Sequence, residues 1–158
     1  MWEATVRTPA MLAEHGLLYD SSMMADDRPY RITTSHGPVS ELPVHWSLDD
    51  WEQYAFLPEP HIGSVIESPL KALEMWDHEL QAARELHTLF NLCSHPFLTG
   101  RAGRLVALRT LIERAQERGG VRFSTCHDLA LLVAPDQGAR VVDESALLPD
   151  TSAYPFDR

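Results

Sequence analysis

SPLKALEMWDHELQAARELHTLFNLCSHP, residues 68–96, carries both of the periods from which the fold is read. Leu70, Leu73, Trp76, Leu80, Ala83 and Leu86 recur at steps of three and four, which places them on one apolar stripe of a long helix. Ser68 stands where its side chain can accept from an early helical N–H. Pro69 suits the first helical position, where its missing N–H would have no partner in any case. Past His87 the period changes: Phe90 to Cys93 reads as a short buried strand, and Pro96 ends regular pairing, leaving His95 at a strand tip.

The same alternation extends outward in both directions. Upstream, Thr8 and Pro9 open a short helix that Gly16 stops, and Leu17 to Tyr19 follows as a strand. Asp20 to Pro38 is rich in polar residues and turn formers and reads as an irregular loop, with Tyr30 to Thr33 extended. Pro43 lies at the start of a strand over Val44 to Trp46, which runs into an acidic turn at Asp49 and Asp50. Downstream, Leu105, Leu108, Leu111, Ile112 and Ala115 share a helix face that Gly119 and Gly120 terminate; Val121 to Phe123 is a last strand before a helix over Thr125 to Val133.

This order predicts an α/β protein with parallel strands, in which ligands sit beyond the strands' carboxyl ends, here the loops after Trp46 and Leu92. The strands visible in the sequence are too few to close an eight-stranded barrel, so the sheet is open or the barrel partial. Residues 135–158 form an acidic, weakly patterned tail.

A chain of 158 residues suits one core. Thirteen Lys and Arg against 23 Asp and Glu give a net charge of −10, which repels phosphate backbones and anionic membranes; nucleic acid is not an expected partner. The longest apolar run, Leu129 to Ala134, is far short of a membrane span. Cys93 and Cys126 are too few for a disulfide framework, and the N-terminus lacks the pattern of a secretory signal, so the expected location is the cytoplasm.

Chemistry is suggested at two places. Asp49, Asp50 and Trp51 set two carboxylates beside an indole, a group able to ion-pair, orient a histidine or hold a metal, or equally a solvated turn capped by Asp49. His95, ahead of Pro96, is placed to pass a proton to a leaving group, although with eight histidines in the chain a surface or hydrogen-bonded role is the plainer reading. Asp26, Asp27, Arg28, Pro29 and Tyr30 make either a substrate-contacting loop or a self-paired surface turn, and Arg101 and Arg104 either bind a carboxylate or pair with nearby acids. GxSxG, HExxH, phosphate-cradling glycine loops and zinc-type Cys/His spacing are all absent.

Three segments, LAEHGLLYDSSMMADDRPY (12–30), ELPVHWSLDDW (41–51) and SHPFLTGRAGR (94–104), together resemble the polysaccharide deacetylase family, carbohydrate esterase family four. The likeness is to the branch holding peptidoglycan deacetylase-like and cyclic-imide- or allantoin-hydrolysing members, and it runs from Met1 to about Val133. It implies a distorted (β/α) barrel and a divalent metal, usually zinc, that polarises an amide carbonyl and activates the attacking water. The family's metal-binding Asp–Asp and HxxxH motifs and its Arg-Pro motif are missing, and Met1 and Trp2 resemble the residues just after the last of these.

The resemblance therefore implies the C-terminal part of a deacetylase domain over 1–134, without its N-terminal strands and with no metal expected to bind this chain alone. By the same likeness Asp50 and Trp51 match the fourth family motif, carboxylate and groove-lining ring, while Asp49 matches more weakly because Ser47 replaces the leading Asp. His95 matches the fifth motif's general acid, and Cys93 stands where that motif has leucine. Asp49, Trp46, Trp51 and Tyr30 are the expected substrate contacts, and the expected substrate is a glycan or small molecule bearing an amide. The alternatives are a noncatalytic sugar- or protein-binding remnant, with Trp46, Trp51 and Tyr54 as its surface, and one half of a split enzyme; an opened barrel would also associate through its sheet edges.

Overall fold

Pro96, Pro69 and Pro9 each stand in the first turn of a helix in the computed structural model, which describes residues 5–57, 59, 63, 65–133 and 139–147. Met1, Trp2 and residues 148–158 of the tail lie outside the described residues. The chain divides into two units, Met1–Pro43 with Ser124–Arg158, and Val44–Phe123.

The first unit is built on a four-stranded sheet in the order β1-β3-β2-β4, with β1 at Tyr19–Asp20, β2 at Tyr30–Thr34, β3 at Gly37–Glu41 and β4 at Val141–Asp143. β1 pairs with β3 and β2 with β4 in parallel, whereas β2 and β3 form an antiparallel hairpin with Thr34 opposite Gly37. The sheet is thus mixed rather than wholly parallel. Helices α1 (Thr8–Glu14) and α6 (Cys126–Val133) pack on it, and Tyr30, Ile32, Val39, Leu42, Ala130 and Val133 are buried.

β3 begins inside the stretch that the sequence reads as loop, Asp20 to Pro38, and a proline within it is at odds with a central strand. The register removes the objection. Ser40 donates its backbone N–H to Leu18 across to β1, so Pro38, two residues earlier, turns its nitrogen to the same side, beyond the point where β1 pairs. Residues of the acidic tail supply β4, whose neighbour Arg140 accepts from Arg31 N–H through its carbonyl and pairs with Asp26 at 3.3 Å.

The second unit is helical: a 3-10 turn at Trp46–Leu48, then α2 (Asp50–Tyr54), α3 (Pro69–Leu86), α4 (Pro96–Thr99) and α5 (Ala102–Arg118). Leu73, Trp76 and Leu80 of α3 pack with Ala107, Leu111 and Ala115 of α5 in one core, and Asp77 ion-pairs with Arg114 and Arg118 across the two helices. Those guanidinium groups, Arg118 first, hold the Asp77 carboxyl below its ordinary range. The strands expected at Val44–Trp46, Phe90–Cys93 and Val121–Phe123 do not form. A strand needs a neighbour along its length, and the Asp49 and Cys93 segments meet in an isolated parallel bridge instead of a ladder. Among the described residues no helix is long and apolar enough to cross a membrane.

Glu41, central in the sheet, has no exposure; it accepts from Met23 N–H at 2.9 Å through Oε1, and burial pushes its carboxyl up to about 8. Between the ordinary value of 4.5 and about 8 the folded chain therefore keeps a proton that the unfolded chain gives up, so stability falls as pH rises through that window. Thermal unfolding of the wild type and Glu41→Gln from pH 4.5 to 8 checks this: the wild type loses stability, on the order of 4 kcal/mol across the window, and the variant loses much less.

Candidate active site

The parallel bridge that replaces a full strand pair is what assembles a site. Cys93 N–H donates to Leu48 O at 2.8 Å and Asp50 N–H to Cys93 O at 3.1 Å, so the segment around Asp49 and Asp50 is stitched to the segment leading to His95. The first segment is anchored from below, where the buried Trp76 donates its indole Nε1–H to Ser47 O at 2.9 Å. Asp49 then caps α2, its Oδ1 accepting from Trp51 N–H at 2.8 Å.

On the second segment Pro96 biases the residue before it away from helical geometry, and His95 is extended, with φ −95° and ψ 124°. α4 is a single turn. At its end Gly100 passes so close to Pro96 that an added Cβ would lie 2.2 Å from the Pro96 carbonyl oxygen, so only glycine fits.

These two constraints aim three donors at one carboxylate. Asp50 is fully buried; its Oδ2 accepts from His95 N–H at 2.8 Å and from the Thr99 hydroxyl, and its Oδ1 lies 2.6 Å from His95 Nδ1. Asp49 Oδ1 is 3.7 Å from the same ring nitrogen. A carboxylate on Nδ1 fixes the tautomer with the proton there and leaves Nε2 for chemistry. The imidazole is about one-third exposed, 32% by side chain, so it reaches solvent from a buried anchor.

Two rings flank it: Trp51 at 5.6 Å and Phe97 at 5.7 Å between centroids, themselves 6.2 Å apart edge to face. Beside them burial, and then the charges of Asp49 and Asp50, push the Cys93 thiol up. Such an arrangement can hold a proton on an imidazolium against a buried carboxylate and present it to a ligand lying along an aromatic wall.

No family model matches the chain. It is 26% identical over 155 residues to the peptidoglycan deacetylase of Helicobacter pylori, covering 82% of this chain and 53% of that protein. A solved structure from Mycobacterium smegmatis described as a polysaccharide deacetylase is 44% identical, with a TM-score of 0.80 over 84% of this chain and 46% of that one. The chain is polysaccharide deacetylase-like. The fold is shared also with a polysaccharide deacetylase structure from Pseudomonas aeruginosa PAO1 (23% identity, TM-score 0.68, 83% and 45% covered) and with Puue allantoinase (22%, 0.67, 83% and 44%). The chain spans about half the length of each of these relatives.

In this deacetylase-like chain Asp49, Asp50, Trp51 and His95 come together, although up to 46 residues separate them. Trp46 opens the 3-10 turn and is exposed. Tyr30 belongs to the sheet unit, where it is fully buried and its hydroxyl is pushed up to about 12 by burial and by the Glu41 charge; it is a core residue there. Asp26 accepts from Arg28 N–H within that turn and ion-pairs with Arg140, far outside it in sequence, and Arg104 lies over the Tyr54 ring at 4.2 Å while donating to Leu98 O.

Thr99 and Phe97 were not legible as site residues. The one signal for Thr99 was a hydroxyl one turn beyond His95 in an otherwise apolar turn, and for Phe97 its place directly after His-Pro. The Asp–His–His donor set that the resemblance implies is not found among the described residues; one group that could hold a metal is, formed by Asp49, Cys93 and His95.

Asp50→Ala strands the His95 N–H and the Thr99 hydroxyl together, and is expected to cost about 2–4 kcal/mol in urea unfolding; Thr99→Val, which removes a single donor, is expected to cost about 1 kcal/mol.

Proposed function

We propose that the chain is the proton-donor half of a polysaccharide deacetylase-type hydrolase that cleaves the C–N bond of an N-acetylated sugar or related amide. The observation that carries this is the His95–Asp50 pair at 2.6 Å, buried on the Asp50 side and open on the imidazole side, in a chain 44% identical to a relative described as a polysaccharide deacetylase. As the resemblance implies, a divalent metal, usually zinc, would activate the water in the intact family, and its ligands and the base would come from the family motifs that this sequence lacks.

The residues of this half act on the leaving group. As water adds to the carbonyl carbon and the C–N bond breaks, Nε2–H of His95 gives its proton to the departing amine nitrogen, and the ring is left neutral with Nδ1–H on Asp50. Thr99 and the His95 N–H hold the Asp50 carboxylate in place. Trp51 and Phe97 offer ring faces suited to the C–H surface of a sugar, and Phe97 is 63% exposed. Free Cys93 and Cys126 suit a reducing compartment, so the working location is the cytoplasm. β1 and β4 lie at the sheet's edges and are where further strands would add.

A hybrid in which this chain replaces the matching segment of the Mycobacterium smegmatis relative tests the reading, assayed for acetate or ring-opened product against N-acetylated sugars and cyclic amides. His95→Ala is expected to lower kcat by about 10²–10⁴ when assayed at a temperature where the variant hybrid is still folded, as circular dichroism checks. Full turnover in that variant rejects the assignment.

A further inference from the structure

Asp49 and Cys93 face each other across the isolated bridge, and His95 follows Cys93 by two residues along extended chain, which returns its side chain to the same side. One carboxylate oxygen, the Cys93 Sγ and one imidazole nitrogen all lie within 4.8 Å of one another. Ligand atoms around a tetrahedral zinc ion stand roughly 3.5 Å apart, given bonds of about 2.0–2.3 Å. Rotation of these side chains by about an ångström closes the set. We infer that Asp49, Cys93 and His95 form a binding site for a thiophilic divalent cation such as zinc, distinct in its donors from the metal site that the resemblance implies.

Three features of the surroundings favour a cation there. Sulfur, nitrogen and oxygen donors together are a zinc-type set rather than a calcium or magnesium set. Asp49 is 3% exposed and Asp50 fully buried, so their field is weakly screened. A dication placed among these charges favours the thiolate form of a cysteine beside it. On binding, the thiol proton leaves to solvent and the sulfur gives its electron pair to the ion. Asp50, hydrogen-bonded to the His95 ring, is the carboxylate that backs a metal-binding imidazole in many metal sites. The exposed side of His95 leaves a fourth position open to water.

One consequence rests on the proposed function. Coordination through Nε2 takes the electron pair that would carry the catalytic proton, and coordination through Nδ1 displaces the Asp50 hydrogen bond. Either way the ion silences proton transfer, so the site is inhibitory. Leucine, the residue that the resemblance sets at position 93, would supply the same apolar contact without a donor.

Cobalt(II) titration of the reduced 158-residue chain reads this without substrate. A near-ultraviolet sulfur-to-cobalt charge-transfer band that saturates at one ion per chain and is displaced by zinc is expected. Cys93→Leu abolishes the band with an unchanged thermal transition, His95→Ala weakens binding by more than about tenfold, Asp50→Asn weakens it by about 10–100-fold, and Cys126→Ser leaves it intact. Absence of the band in the wild type, its survival in Cys93→Leu or its loss in Cys126→Ser overturns the site. Should Cys93→Leu fail to fold, an unchanged apparent Kd in both His95→Ala and Asp49→Asn overturns it instead. The two readings fail separately: a chain that binds cobalt through Cys93, in a hybrid whose turnover ignores His95→Ala, keeps the metal site and loses the proton donor.

Discussion

A carboxylate without any solvent contact is tolerated in a fold only when its oxygens are paired, and Asp50 is paired wholly by residues 95 to 99. A backbone N–H, an imidazole nitrogen and a hydroxyl converge on it from five consecutive positions, His-Pro-Phe-Leu-Thr. The proline keeps His95 extended so that its N–H points at the carboxylate, and the single turn that follows brings Thr99 round to the same oxygen. None of the three donors could be moved alone. The position of the imidazole is therefore a consequence of satisfying Asp50, and Asp50 in turn is held by the bridge to Cys93 and by the Trp76 bond to the preceding turn.

That dependence runs down into the core. Trp76 is fully buried between α3 and α5, packed edge to face with Tyr54 at 6.1 Å, and it spends its one polar atom on the carbonyl of Ser47. The helix pair thus does more than bury apolar surface: its largest side chain sets the height at which the Asp49–Asp50 segment runs. Asp77 with Arg114 and Arg118 adds a cross-helix tie whose partial exposure limits its worth.

The helices were legible because their determinants are local. Ser68 makes no more than one side-chain bond, its hydroxyl oxygen accepting from Leu70 N–H at 3.3 Å, yet with Pro69 and the stripe from Leu73 to Leu80 it fixes where α3 begins and which face it buries. Gly119, at φ 63°, ends α5 where the sequence says it should. Strands depend on partners elsewhere in the chain, and there the sequence misleads: apolar runs at Phe90 to Cys93 and Val121 to Phe123 find no ladder, while Gly37–Glu41, with a proline inside it, and Val141–Asp143, in a polar tail, find one. Tyr30 looked like a ligand-loop ring because charges precede it, but alternation along β2 turns it inward with Ile32. At the site, spacing alone could not join Asp50 to a histidine 45 residues away; the family likeness of the two segments joined them, and it said nothing of Thr99 or Phe97, whose contribution exists only once α4 is wound.

Asp50 also explains how one histidine can serve two ends. A carboxylate on Nδ1 stabilises an imidazolium when the ring must donate a proton, and orients a neutral ring when it must give an electron pair; the carboxylate does not choose between them. The choice falls to the neighbour on the open side. An apolar side chain at position 93 would leave the ring with Trp51 and Phe97 alone, a setting for a substrate and nothing else. Cys93, held against Asp49 by the bridge, adds sulfur to nitrogen and oxygen at a separation that a small cation can gather. The step from proton donor to metal ligand therefore turns on a single side chain, and it needs no change in the backbone that the buried carboxylate has already fixed.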